Sequence, residues 1–208
     1  MKFLVTGFEP FNGESINPSL EAVRLLPAQL EDINIAKVRL PVSFARAGKI
    51  LNDAIDSCRP DAVICVGQAG GQTEIAVERI AVNLQDASVP DNDGAQPIDR
   101  PVIAGGPDGY FSVLPVKEIV KELRNRGIPA FVSNSAGTYV CNTVMYELLN
   151  RLYHEDRPMI GGFIHVPYAA EQAAGKNPGT PGMELTTIAE GLIIAIRASA
   201  RAQMAVSG

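Results

Sequence analysis

The chain has 208 residues, 46% of them hydrophobic and 20% charged, with a formal net charge of −5. That balance predicts a globular, soluble protein of one domain, residues 1–208, long enough to bury a sizeable core. It excludes nucleic acid as a partner, since no Lys/Arg cluster offsets the negative charge. It also excludes a membrane span, since the late apolar run Gly191 to Ile196 is bracketed by Glu190 and Arg197.

Lys2 to Thr6 reads as a short buried strand ended by Gly7. The loop Phe8-Glu9-Pro10-Phe11-Asn12-Gly13 then puts two aromatics where a turn is ordinarily polar. Asn17-Pro18 is a good helix start, with Asn as N-cap and Pro at the first helical position, and Pro27 stops that helix. Ile33 to Val42 alternates enough to be a strand. Ser43 can cap a helix to Ser57, whose stripe of Phe44, Ala47, Leu51, Ala54 and Cys58 assigns Cys58 to the core. Asp61 to Val66 is a continuous apolar run, as in a strand covered on both faces, with Cys65 as inert packing in its middle. The turn that follows, Gly67-Gln68-Ala69-Gly70-Gly71-Gln72, has neither a full G-x-G-x-x-G nor a following Lys-Ser/Thr, which disfavours a phosphate cradle.

Glu74 to Asn83 alternates as a single strand with Ala76, Glu78, Ile80 and Val82 on one face. A carboxylate among apolar neighbours needs a donor, so Glu78 either pairs with an Arg or orients a histidine. Leu84 to Tyr110 is rich in Pro, Gly and Asp and is either an excursion with some strand of its own or a functional loop. Pro115 opens a helix to about Arg126, with Gly127 as its stop. Ala130 to Val132 begins a strand that feeds Ser133 to Leu149. There, small and polar residues narrow to Tyr139-Val140-Cys141-Asn142, and Val144, Met145, Leu148 and Leu149 recur at helix spacing, the helix ending near His154. Ile160 to Val166 is the last strand, with His165 near its end; Pro167 to Gly182 is a second loop, and Glu184 to Met204 a closing amphipathic helix. Strands alternating with helices define an α/β fold, a three-layer α/β/α sandwich around a mostly parallel sheet.

Cys141 falls at or just before a helix start, where free N–H groups and the helix dipole favour a thiolate, the nucleophilic form. A small buried residue would fit the same junction. Of the two histidines, His154 ends a helix beside Glu155-Asp156-Arg157 and reads as exposed. His165 ends a buried strand, where α/β folds place ligands. Cys141, His165 and Glu78 can thus fill the roles of nucleophile, base and orienting carboxylate, although a lone strand histidine also fits a satisfied core residue. Two separated histidines without Cys-x-x-Cys or H-E-x-x-H leave no metal-ligand set. Three cysteines without paired spacing point to reduced thiols. Lys2 is followed only by Phe3-Leu4-Val5 before Thr6-Gly7, too short for a secretory core, so a cytoplasmic location is expected.

Phe8-Glu9-Pro10-Phe11, VGQAGG leading into ERIAVN, VPDNDG, SNSAGTYVCN and FIHVPY, in that order from Gly7 to about Tyr168, resemble the pyroglutamyl peptidase I family, also called pyrrolidone carboxyl peptidase. The resemblance implies a cysteine omega-peptidase that removes an N-terminal pyroglutamyl residue, with Glu78, Cys141 and His165 at the catalytic positions. It implies as well a three-layer α/β/α domain, commonly a homotetramer, working in the cytosol without cofactor. Phe8 and Phe11 are placed in the substrate pocket, and Gln68, able to donate and accept, matches a lactam edge. Val140 supplies wall and backbone hydrogen bonds, and Asn17 either braces the Cys loop, touches substrate or only caps its helix. Three positions depart from the pattern: Ala76, where Ser or Thr is usual, Gln72, where Arg is common, and Ser88, where a basic residue is found. A cysteine amidase for another small cyclic or N-acyl amide and a ligand-binding module without chemistry are the competing readings.

Overall fold

The computed structural model describes residues 1–207, with side chains described through Met204. The chain opens with Lys2–Phe8 (β1), Pro18–Leu25 (α1), Gln29–Leu30 (β2) and Ile33–Leu40 (β3). Ala47–Cys58 (α2), Ala62–Gln68 (β4), Ile75–Glu78 (β5), Ile80–Val82 (β6) and Gly109–Phe111 (β7) follow. Val116–Asn125 (α3), Ala130–Ser133 (β8), Val140–His154 (α4), Ile160–Val166 (β9), Ala170–Ala174 (α5) and Leu185–Ser207 (α6) complete it.

Seven strands form one sheet in the order β2-β3-β1-β4-β9-β5-β8. β3, β1, β4 and β9 are mutually parallel; β5 and β8 are parallel to each other but antiparallel to β9. β1, β4 and β9 are buried almost end to end, which explains why their sequences are continuous apolar runs rather than alternating ones. On one face Phe3, Val5, Ile64, Val77 and Ile164 pack beneath α1, α3 and α6. On the other, Leu4, Phe8, Cys65 and Phe163 pack beneath α2 and α4. The result is the expected three-layer α/β/α sandwich around a mostly parallel sheet.

Local chemistry accounts for most boundaries. Asn17 caps α1 through its side-chain oxygen, which accepts from Ser19 N at 3.1 Å. Ser43 accepts from Arg46 N at 3.2 Å, but residues 44–46 form a turn and the helix proper starts at Ala47, later than expected. Cys58 lies at the end of that helix and is only half-buried, packing on the rim of the core rather than within it.

The expected single strand Glu74–Asn83 does not exist. Its partner β8 ends at Ser133 opposite Glu78; Ser133 O still accepts from Arg79 N at 2.8 Å, but β8 offers no residue beyond that. The chain turns at Arg79, and Ile80–Val82 pairs instead with Gly109–Phe111 in a separate two-stranded sheet. The alternation breaks there as well: Ala81 is fully buried, while Ile80 and Val82 are half-exposed. The long segment 84–110 thus has a strand of its own at its end. In the loop 167–182, a short helix at Ala170–Ala174 was not expected.

Candidate active site

Cys141 is the second residue of α4, in its first turn. The N-cap residue Tyr139 is extended and supplies no side-chain cap, so the first N–H groups of the helix meet no competing acceptor from the cap. Asn142, fully buried, fastens this turn to the neighbouring excursion. Its Oδ1 accepts from Val82 N at 3.0 Å, and its Nδ2 donates to Val82 O and Leu84 O, both at 2.9 Å. Removing that side chain would leave partly buried backbone groups of Val82 and Leu84 unpaired, at about 1 kcal/mol each. Gly67 passes directly beneath the thiol: a Cβ there would lie 2.8 Å from Cys141 Sγ and 2.7 Å from the Phe163 ring. Only glycine leaves that room.

His165 approaches from the sheet. Its Nδ1 lies 2.8 Å from Glu78 Oε1, and since a carboxylate only accepts, Nδ1 carries the proton and donates. The reversed direction of β5 makes this contact. Ala76 is directly opposite His165 in the antiparallel register, so Glu78, two residues on, reaches the imidazole diagonally from deeper in the sheet. It is 2% exposed, and the Phe163 ring lies 4.8 Å from the imidazole. The ring's other nitrogen is left on the cavity side, where the imidazole meets Cys141. Burial alone would depress the imidazole pKa; the contacts with Cys141 and with the Glu78 carboxylate outweigh it and push His165 well above its ordinary value. The alternative of an Arg partner for Glu78 is therefore not realised: Arg79 donates to Asn134 instead.

The other candidates fall away on geometry. Cys65 is fully buried, and burial pushes its thiol up to about 12, so it stays protonated. His154 is exposed at the far end of α4, with Nδ1 bonded to Asn150 O at 2.8 Å.

A cavity of about 120 Å³ adjoins the thiol. Phe8, Gln68 and His165 reach it from the carboxyl ends of the adjacent parallel strands β1, β4 and β9. Phe11, Asn17, Val140 and Cys141 complete the anticipated set, with Glu78 lying behind His165. Phe8 is buried against Phe163, whereas Phe11 is half-exposed at the mouth. Asn17 turns out to brace the aromatic loop and not the Cys stretch: its Nδ2 donates to Glu9 O at 3.0 Å.

Val42, Ala136 and Tyr139 also line the cavity, beyond the residues that the sequence singles out. Val42 lies just past the carboxyl end of β3, which is the signal that could have found it. Tyr139 stands edge-on to Phe44 at 5.2 Å and donates from its hydroxyl to Pro90 O at 3.0 Å. It thereby ties the 84–110 excursion to the site. Burial, with Asp91 and Cys141 nearby, pushes the Tyr139 phenol up to about 12. Of the three departures, Gln72 and Ser88 are exposed, whereas Ala76 is buried on the His165 side of β5.

An α/β/α sandwich that presents a cysteine at a helix start to a buried imidazole and carboxylate has the form of a cysteine peptidase. Comparison with known proteins makes the class specific. The pyroglutamyl peptidase family matches residues 1–202. A pyrrolidone-carboxylate peptidase of Thermococcus kodakarensis is 53% identical over 197 residues, covering 95% of each chain. One from Bacillus licheniformis is 50% identical over 200 residues, 96% of this chain and 92% of the relative. The crystal structure of Bacillus amyloliquefaciens pyroglutamyl peptidase I superposes with a TM-score of 0.93 at 43% identity, covering 97% of this chain and 98% of that one. This chain belongs to the pyroglutamyl peptidase family.

Proposed function

We propose that Cys141, His165 and Glu78 hydrolyse the amide bond after an N-terminal pyroglutamyl residue, within a single peptidase domain. The observation that carries the reading is the 2.8 Å contact of His165 with Glu78 beside a cavity that also holds the Cys141 thiol. At about 120 Å³ that cavity is well below the ~300–1,000 Å³ of sites for drug-sized ligands. It suits one small ring. Phe8, Phe11, Val42 and Val140 give that ring apolar walls, and Gln68 and Asn17 give it polar edges.

His165 draws the Cys141 proton, and Glu78 stabilises the imidazolium. The thiolate attacks the pyroglutamyl carbonyl, forming a C–S bond, and the oxyanion rests on the uncapped N–H groups at the start of α4. The C–N bond breaks as the imidazolium proton passes to the leaving amine. Water then adds to the thioester, giving its proton to His165, and the C–S bond breaks to release pyroglutamate and the thiolate.

Pyroglutamyl anilide should be cleaved, and prolyl anilide at least about a thousandfold more slowly in kcat/KM, because a ring without the carbonyl leaves buried polar groups unmet. Equal rates on the two, measured by anilide release, would overturn the assignment of the cavity.

No helix among the described residues is long and apolar enough to cross a membrane. We place the protein in the cytoplasm as a homotetramer. The free state of Cys58, Cys65 and Cys141 supports the location, and the exposed apolar side chains Phe111, Val113 and Tyr153 support the assembly. Sedimentation equilibrium should return four times the chain mass; a monomer would rule the assembly out.

A further inference from the structure

Gln68 enters the cavity from the carboxyl end of β4, and its side-chain oxygen is already engaged. Gln172, on the short helix α5, donates from Nε2 to Gln68 Oε1 at 3.2 Å. The same Nε2 donates to Glu14 Oε2 at 2.9 Å. The other carboxylate oxygen of Glu14 accepts from Lys176, whose ammonium also stands 4.5 Å above the Tyr168 ring. Gln172 is buried, and its own Oε1 has no partner among the described residues.

The order of donors along this chain is not arbitrary. Glu14 is an acceptor, so Gln172 must turn its NH2 toward it; the reverse orientation would set an amide oxygen against a carboxylate. Lys176, together with Gln172, holds the Glu14 carboxyl below the ordinary range, so it stays an anion throughout neutral pH. With the Gln172 NH2 fixed, its neighbour must present an acceptor, which is Gln68 Oε1. The amide of Gln68 is then left with its NH2 for the cavity. The unmet Gln172 Oε1 fits the same picture, since a free choice of rotamer would not leave a buried acceptor empty.

We propose that Gln172, oriented by the Glu14–Lys176 pair, is a positioning residue that fixes Gln68 as a hydrogen-bond donor to the lactam carbonyl of the substrate ring. This rests on the reading of the cavity as the pyroglutamyl site. It adds to that reading a source for the ring selectivity, lying outside the cavity wall and on the loop 167–182.

Interchanging the two side chains tests it. In the double variant Glu14→Gln with Gln172→Glu, the carboxylate moves to position 172 and the net charge is unchanged. The anion now accepts from Gln68 Nε2, so Gln68 turns its oxygen to the cavity. Binding is read as competitive inhibition by 2-pyrrolidone, whose ring carries a carbonyl, and by 2-iminopyrrolidine, whose protonated form carries a donor in its place. The expected result is a loss of about tenfold or more for 2-pyrrolidone and a gain for 2-iminopyrrolidine, with KM for pyroglutamyl anilide raised similarly and kcat within about threefold. Gln172→Leu, the second variant, frees Gln68 to turn and should narrow the ratio between the two inhibitors. A ratio unchanged in both variants overturns the proposal, as does a fall in kcat alone. If the unaltered enzyme neither cleaves pyroglutamyl anilide nor binds 2-pyrrolidone, the cavity reading itself fails. Wild-type cleavage with unshifted variants sinks only the role of Gln172.

Discussion

Replacing Cys141 with alanine is expected to lower kcat on pyroglutamyl anilide by at least about 10⁴-fold, the scale on which loss of a covalent nucleophile acts. The fold should survive. Cys141 is only half-buried, in a first turn that Asn142 holds by three hydrogen bonds independent of the thiol. A thermal midpoint within a few degrees of the parent, with turnover gone, is the outcome that separates a nucleophile from a packing residue. Stoichiometric labelling by iodoacetamide at neutral pH should disappear with the same substitution, because Cys65 is sealed in the core as a neutral thiol and burial raises the pKa of the half-buried Cys58 as well. Turnover above about a tenth of the parent rate would remove Cys141 from the mechanism.

The second large effect belongs to Glu78→Gln, which keeps shape and removes charge. A fall in kcat of about 10²–10⁴-fold is expected, by analogy with other orienting carboxylates. The pH profile gives the sharper test. His165 has a raised pKa in the folded protein, so its imidazolium persists above the ordinary histidine value of about 6.5. Activity that needs this proton for the leaving amine is lost as pH rises through that raised value. Removing the carboxylate removes one of the two groups that hold the proton, so the alkaline limb must move to lower pH. The stability linkage has the same sign: a raised histidine pKa contributes stability that is full below about 6.5 and lost as pH rises through the folded value. The variant should therefore be less stable than the parent at neutral pH, with the gap closing in alkali. An alkaline limb that stays in place would show that Glu78 does not act on His165.

Patterns that depend on local chemistry were readable from residues alone. The Asn17 cap, the strands β1, β4 and β9, and the helix start beside Cys141 all follow from sequence spacing, and the structure has them. The position of Glu78 was half legible. Alternation gave its burial, but alternation cannot say which strand becomes its neighbour or that β5 runs backwards beside β9. The break at Arg79 was invisible for the same reason, since it is set by where β8 stops. Nothing local marks Tyr139 as a site residue, because its role lies in distant contacts to Phe44 and Pro90. Gln172, in a loop of small residues, carried no motif at all. Its importance arises from Glu14, more than 150 positions earlier, at 2.9 Å.

The strand that completes the sheet is the last to be synthesised. β9 lies between β4 and β5, so until Ile160–Val166 leaves the ribosome those two strands have no neighbour on that side. Nascent chains therefore carry two apolar strand edges in the open, the condition that invites pairing with other molecules. Closure joins segments almost a hundred residues apart, and contacts of that separation form slowly. His165 rides on the inserted strand. Insertion of β9 thus creates the enzyme and seals the sheet in one event, so a chain arrested before it is both inert and prone to aggregate.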